Sequence, residues 1–159
     1  MAAVTIWISS LCRHDPGYGG WAWVRRAGGE TGAAAIKGAA GGERRTSRAS
    51  MSLKALTEAL DGLSDLQADA SVTLRFVDAE LAGQLVASDG DYATAEPDAW
   101  AVARAAVAKR PFLELVPASP VDPASGFLDA WAEFGLDTAK SRGSFKAAIP
   151  KPNLLKFPG

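Results

Sequence analysis

From Val4 to Leu11 the chain alternates β-branched or aromatic residues with polar ones, a period that predicts a β-strand. A dense turn signal, DPGYGG from Asp15 to Gly20, leads to a second strand over Trp21–Arg26. AGGE reads as a tight turn, and Thr31–Lys37 as a third strand, rich in alanine and low in β propensity. Connections this short cannot make a crossover, so the three strands form an antiparallel meander. GAAGGERRTS then reads as loop. From Ser50 the period changes: Met51, Leu53, Leu56, Leu60 and Leu63 recur at helical spacing. They predict an amphipathic helix over Ser50–Leu66, capped by Ser50 or Ser52.

Val72–Val77 is an apolar run of strand length and predicts a buried fourth strand. Ala79–Ala87 reads as a short helix, SDGD as a break, and Glu96–Lys109 as a helix with Pro97 near its first turn. Phe112–Val116 is a fifth strand. The loop PASPVDPASG separates it from a last helix over Phe127–Ser141, and Gly143–Gly159 is an irregular tail bearing proline and lysine. The order βββαβα(α)βα implies an α/β domain over residues 1–142, a five-stranded mixed sheet flanked by helices, followed by the tail 143–159. Such an order does not name a function.

Composition narrows the classes. The 159 residues suit one ordinary domain with a sizeable core. The formal net charge is −1, so binding to nucleic acid through the whole surface is excluded and would need a local patch. Cys12 is the one cysteine, which excludes an internal disulfide and fits a reducing compartment. No apolar run reaches the ~18 residues of a membrane span. The opening MAAVTIWISSLC lacks a basic flank and alternates like a strand, unlike a signal peptide. The expected location is cytoplasmic, with no membrane partner.

Four patterns then occur in order. DPGYGGW (Asp15–Trp21) follows the first strand, and TSRASMSLKALTEAL (Thr46–Leu60) opens the first helix. VTLRFVDAELAGQL places Asp78 at the end of the fourth strand, and VPASPVDPASGFLDAWAEFG places Asp129 in the last helix. In these the chain resembles the ribonuclease H family, whose corresponding patterns are NPGxGG plus an aromatic, TNNRMEL, a DS dipeptide before a helix, and a GH-containing loop before AD-x-LA. The resemblance covers about residues 4 to 136 and implies a ribonuclease H-like fold. It also implies a metal-dependent endoribonuclease acting on RNA/DNA hybrids.

Hydrolysis of this kind uses two divalent cations about 3.5–4 Å apart, held by carboxylates around the phosphodiester. The resemblance implies ligands from the first strand, the first helix, the fourth strand and the last helix. Here the first position is Ser9 and the second Ser52; only Asp78 and Asp129 remain acidic. The loop position where the family carries a histidine is Ser119. The expectation is a degenerate site holding magnesium or manganese weakly at most, with no cofactor required. Asp78 and Asp129 are either weak ligands of one metal or plain strand-end and helix-surface residues. Asp15 and Glu80 are candidate replacement carboxylates; Asp15 is expected to face solvent and Glu80 to lie on the following helix.

Arg44, Arg45 and Arg48 are the one local basic cluster, in the segment entering the first helix. The resemblance places this segment near the nucleic-acid backbone, where arginine pairs bidentately with phosphate. The alternative is a solvated loop. His14, beside Ser9, Ser10 and Asp15, lacks the context of a nucleophilic triad and reads as an exposed turn residue. Cys12 reads as a small buried hydrophobe. Trp7, Trp21 and Trp23 are expected to straddle the two faces of the sheet, with Trp100 and Trp131 as helix anchors. The apolar residues Leu154, Leu155 and Phe157 in the tail either pack back on the domain or dock on a partner.

Three functions follow. The first is a catalytically impaired ribonuclease H-like protein that binds duplex or RNA/DNA hybrid without efficient cleavage. The second is an adaptor that binds a protein through the fold and its tail. The third is an active metal-dependent hybrid ribonuclease with a rearranged site around Asp78 and Asp129.

Overall fold

A computed structural model describes residues 3–14, 17–28, 35–87 and 90–159. β1 (Val4–Arg13) and β2 (Gly17–Ala27) form an antiparallel pair, and β3 (Ile36–Thr46) continues the meander. α1 (Arg48–Asp61) crosses to β4 (Val72–Phe76), which runs parallel to β1. Three helices follow: α2 (Ala79–Ala87), α3 (Asp91–Ala95) and α4 (Pro97–Ala108). β5 (Leu113–Pro117) runs parallel to β4, and α5 (Pro123–Arg142), β6 (Phe145–Ala148) and α6 (Lys151–Leu154) complete the chain. The sheet order is β5-β4-β1-β2-β3-β6.

The mixed α/β architecture is the expected one, with six strands in place of five. The sixth comes from the tail: Ala39 to Gly42 of β3 pair with Ala148 to Phe145 of β6. The tail is therefore not irregular, and it packs back. Phe157 and Leu154 are buried, and the Phe157 ring meets Trp7 and Phe127 edge-on at centroid distances of 4.9 and 5.2 Å. Leu155 stays exposed.

The third strand also differs. Of the expected Thr31–Lys37, residues 31–34 lie outside the described residues; the observed strand runs from Ile36 through the GAAGGERRT segment read as loop. Its small residues serve a packing demand that β propensity does not register. A Cβ on Gly20 or Gly42 would collide with the α5 backbone at Ala132 and Gly135. α5 thus lies directly on the β2–β3 backbone, and glycine is what permits that approach.

Two cores result, one on each face of the sheet. Ile6, Ile8, Trp21, Trp23, Leu74 and Phe76 meet α1, with Leu81, Tyr92 and Trp100 extending this layer. Ala22, Val24 and Ala40 meet Leu128 and Ala132 of α5 on the other face, with Trp7 and Trp131 partly buried there. The tryptophans straddle the sheet as strand alternation requires. The buried Arg25 reaches out to Asp65 in a bidentate pair of 2.6 and 2.8 Å. This holds the exposed Asp65 carboxyl well below the usual carboxylate range, chiefly through those hydrogen bonds. Among the described residues no helix is long and apolar enough to cross a membrane.

Candidate functional site

Four elements deliver the family-pattern positions to one place. Ser9 and Ser10 lie on β1, Ser52 on the second turn of α1, Asp78 just past β4, and Asp129 on α5. Strand alternation sends the two serines opposite ways: Ser9 is on the α5 face and Ser10 on the α1 face. Ser9 accordingly donates to Oδ1 of Asp129, and Ser10 lies 3.2 Å from the Ser52 hydroxyl. All five line a cleft of about 440 Å³, with Arg48 and Glu80 also on its wall.

Helix capping sets the entrance. Ser47, rather than Ser50 or Ser52, is the N-cap of α1: its side chain accepts from the Ser50 N–H at 3.0 Å and donates to Glu96 at 2.8 Å. That turns Ser52 inward, where it is 3% exposed. Asp78 plays the same part for α2, taking the N–H groups of Glu80 and Leu81 at 3.1 and 3.2 Å on Oδ1. Its Oδ2 accepts from Ser52 Oγ at 2.8 Å and from Tyr92 Oη at 2.7 Å. Asp78 thus takes four donors from α1, α2 and α3. Burial, then the Asp78 hydrogen bond and charge, push the Tyr92 phenol up to about 12.

Tyr92 was not anticipated. It sits on a five-residue helix after the SDGD break, and neither periodicity nor motif marks it.

The basic cluster divides. Arg44 and Arg45 stand on β3 and Arg48 opens α1. Arg44 is exposed, and its guanidinium is engaged within the fold: its Nε donates to Ala139 O and its Nη2 to Lys140 O, both at 2.8 Å. These are carbonyls of the last turn of α5, where Ala139 O also accepts from the Gly143 N–H at 2.9 Å, so Arg44 adds a side-chain cap to the helix end. Arg45 is exposed with φ of 53°, and Arg48 is exposed at the cleft entrance.

Of the remaining candidates, Glu80 and Cys12 line the cleft, and Ser119 and His14 do not. Ser119 is exposed on the loop before α5, with its carbonyl accepting from Ser125 at 2.9 Å. Glu80 is exposed on α2, as expected, and Asp15 lies outside the described residues. His14 is an exposed turn residue with φ of 63°. Cys12 is half-buried, within 3.0 Å of the His14 carbonyl oxygen. Among the described residues no group of three or more His, Cys, Asp and Glu side chains is placed to hold a metal ion.

Neither a protein-family model nor a curated protein matches the chain. Its fold is similar to solved ribonucleases H. With RNase H1 from the halophilic archaeon Halobacterium salinarum NRC-1 it shares 21% identity at a TM-score of 0.69, covering 86% of this chain and 99% of that one. With the N-terminal RNase H domain of Rv2228c from Mycobacterium tuberculosis it shares 13% identity at 0.75, covering 89% and 98%. With LC11-RNase H1, solved in complex with an RNA/DNA hybrid, it shares 18% at 0.70, covering 86% and 99%. The chain has a ribonuclease H-like fold; likeness at these identities speaks for architecture and not for chemistry.

Proposed function

We propose that this chain is a ribonuclease H-like protein that binds nucleic acid, duplex or RNA/DNA hybrid, without cleaving it efficiently. One observation carries the reading: in the cleft, hydroxyls from Ser9, Ser52 and Tyr92 donate to the two remaining carboxylates. Magnesium takes hard oxygen ligands and a two-ion centre gathers several carboxylates around doubly charged ions. Asp78 and Asp129 supply two negative charges against four positive ones, and the exposed Glu80 on the cleft wall forms no three-carboxylate group with them. A serine hydroxyl is neutral, and the Asp78 oxygens already accept four hydrogen bonds. The residues present do not fit a two-metal centre.

Nucleic-acid binding is supported by Arg45 and Arg48, exposed near the α1 N-terminus. An arginine pairs with a phosphate there in a helix-end potential that favours anions. The structural neighbour solved on an RNA/DNA hybrid gives the candidate partner. The adaptor alternative loses its main support, because Leu154 and Phe157 of the tail are buried in the domain.

A fluorescent RNA/DNA hybrid tests the reading. Anisotropy between about 50 and 200 mM salt should show binding that weakens with salt, each phosphate contact contributing roughly 0.9 to the logarithmic slope. Arg45→Ala with Arg48→Ala should flatten that slope by nearly two, while Arg44→Ala should lower stability and leave the slope alone. Gels run with magnesium or manganese should show intact hybrid. Metal-dependent turnover lost in Asp78→Asn would overturn the impaired reading; no binding at low salt would overturn the nucleic-acid reading.

A further inference from the structure

The phenol of Tyr92 comes to Asp78 from an element that supplies none of the aligned positions. α3 is tied to α2 at its start, where the Tyr92 N–H donates to Gln84 Oε1 at 2.8 Å, and its last turn closes with the Glu96 N–H on the Tyr92 carbonyl at 2.9 Å. The side chain is 5% exposed and belongs to the core layer that includes Leu81, Leu85 and Trp100. The hydroxyl is therefore delivered by packing, and withdrawing it would mean moving a ring out of the core. Ser52 brings a second hydroxyl to the same oxygen from α1, while the α2 backbone holds the other. Magnesium binds at about 2.0–2.1 Å in near-octahedral geometry and demands free lone pairs. At Asp78 the lone pairs already face protein donors.

We propose that Tyr92 is an internal occupant of the cleft, whose hydroxyl takes the position at Asp78 Oδ2 that a divalent cation would need. Both carboxylates are then engaged by hydroxyls, Asp78 from α3 and Ser52, and Asp129 from Ser9. This rests on reading the cleft as a degenerate centre, yet it makes a separate claim. If missing carboxylates were the whole cause, restoring them would restore metal binding. With Tyr92 in place, restoring them is insufficient.

The experiment compares Ser9→Asp/Ser52→Glu with the same pair carrying Tyr92→Phe, which keeps the ring volume and removes only the hydroxyl. Manganese binding is measured by calorimetry and by electron paramagnetic resonance, with circular dichroism melts establishing that each variant is folded. Freeing a carboxylate oxygen from a hydroxyl donor should tighten manganese binding by at least about tenfold in the triple variant, since charge-assisted hydrogen bonds are the strong ones. Equal affinity in the two variants, tight or negligible, would overturn the proposal. Should the triple variant fail to fold, the unmodified frame decides. The Tyr92 ring-carbon resonance should move on Asp78→Asn, and an unmoved resonance would overturn the contact. Manganese binding by the unaltered chain at two adjacent sites would instead sink the reading of a degenerate centre.

Discussion

Exchanging Asp78 for asparagine separates two accounts of the cleft by the sign of the stability change. A carboxylate kept for metal binding sits among like charges, and neutralising it relieves repulsion. A carboxylate that organises the fold gives the opposite result. Asp78 accepts two backbone N–H groups at the start of α2 and two hydroxyls, from Ser52 and Tyr92. Hydrogen bonds to a charged group contribute about 1.5–3 kcal/mol each, against about 0.5–1.5 for neutral ones. Asparagine keeps one acceptor oxygen, which the α2 N–H groups can use at reduced strength. Its amide nitrogen faces the two hydroxyls as a donor, so both must turn, and the buried phenol has little room to do so. The net loss expected is about 2–3 kcal/mol. Urea denaturation at pH 7, followed by tryptophan fluorescence, reads this directly. With a slope of about 1–3 kcal/mol per molar, the midpoint should fall by roughly 1 M. A midpoint that stays or rises for Asp78→Asn would refute the structural role of the carboxylate.

Three further outcomes are expected. Phe157→Ala removes a buried ring packed on Trp7 and Phe127, and should cost about 3–5 kcal/mol in thermal or urea unfolding; a loss below about 1 kcal/mol would show that the C-terminal segment is not part of the core. Gly20→Ala sets a methyl against the Ala132 carbonyl oxygen of α5 and should cost at least about 1–3 kcal/mol, a strain that a neutral melting temperature would contradict. The Tyr92 phenol, raised to about 12 in the folded chain, contributes stability that is complete below about pH 10, the ordinary tyrosine value, and is lost as pH rises through 12. Unfolding measured at stepped alkaline pH should show that decline, and Tyr92→Phe should remove part of it.

Legibility followed the physics of each segment. β4, α2, α4 and β5 stand within a residue or so of where period and length put them, because each has the length and apolar content of its element, with a buried stripe in the first three. The four cleft positions were also readable, since motif order carries them to one end of the sheet. β3 escaped because alanine and glycine are poor strand formers taken alone; contact with α5, remote in sequence, selects them. The early start of α5 was legible in principle: Asp122 caps it, accepting from the Ala124 N–H at 2.9 Å, with Pro123 at the first turn. The contacts of Arg44 were not legible, because charge reports that a residue can bind an anion, while only the fold shows that it reaches the Ala139 and Lys140 carbonyls. Tyr92 left no trace, as its role depends on where a five-residue helix comes to rest.

The pairing of Ala39 with Ala148 has a bearing on how the molecule assembles. A ribbon so poor in side chains draws its persistence from neighbours on either flank, and one flank is encoded far from it in the sequence. During synthesis that flank emerges long after the strand it pairs with, and in refolding it must be found by closing a very long loop, an entropic toll that slows the search. Until then the Ala- and Gly-rich strand presents a bare backbone ladder, open to pairing with a neighbouring chain.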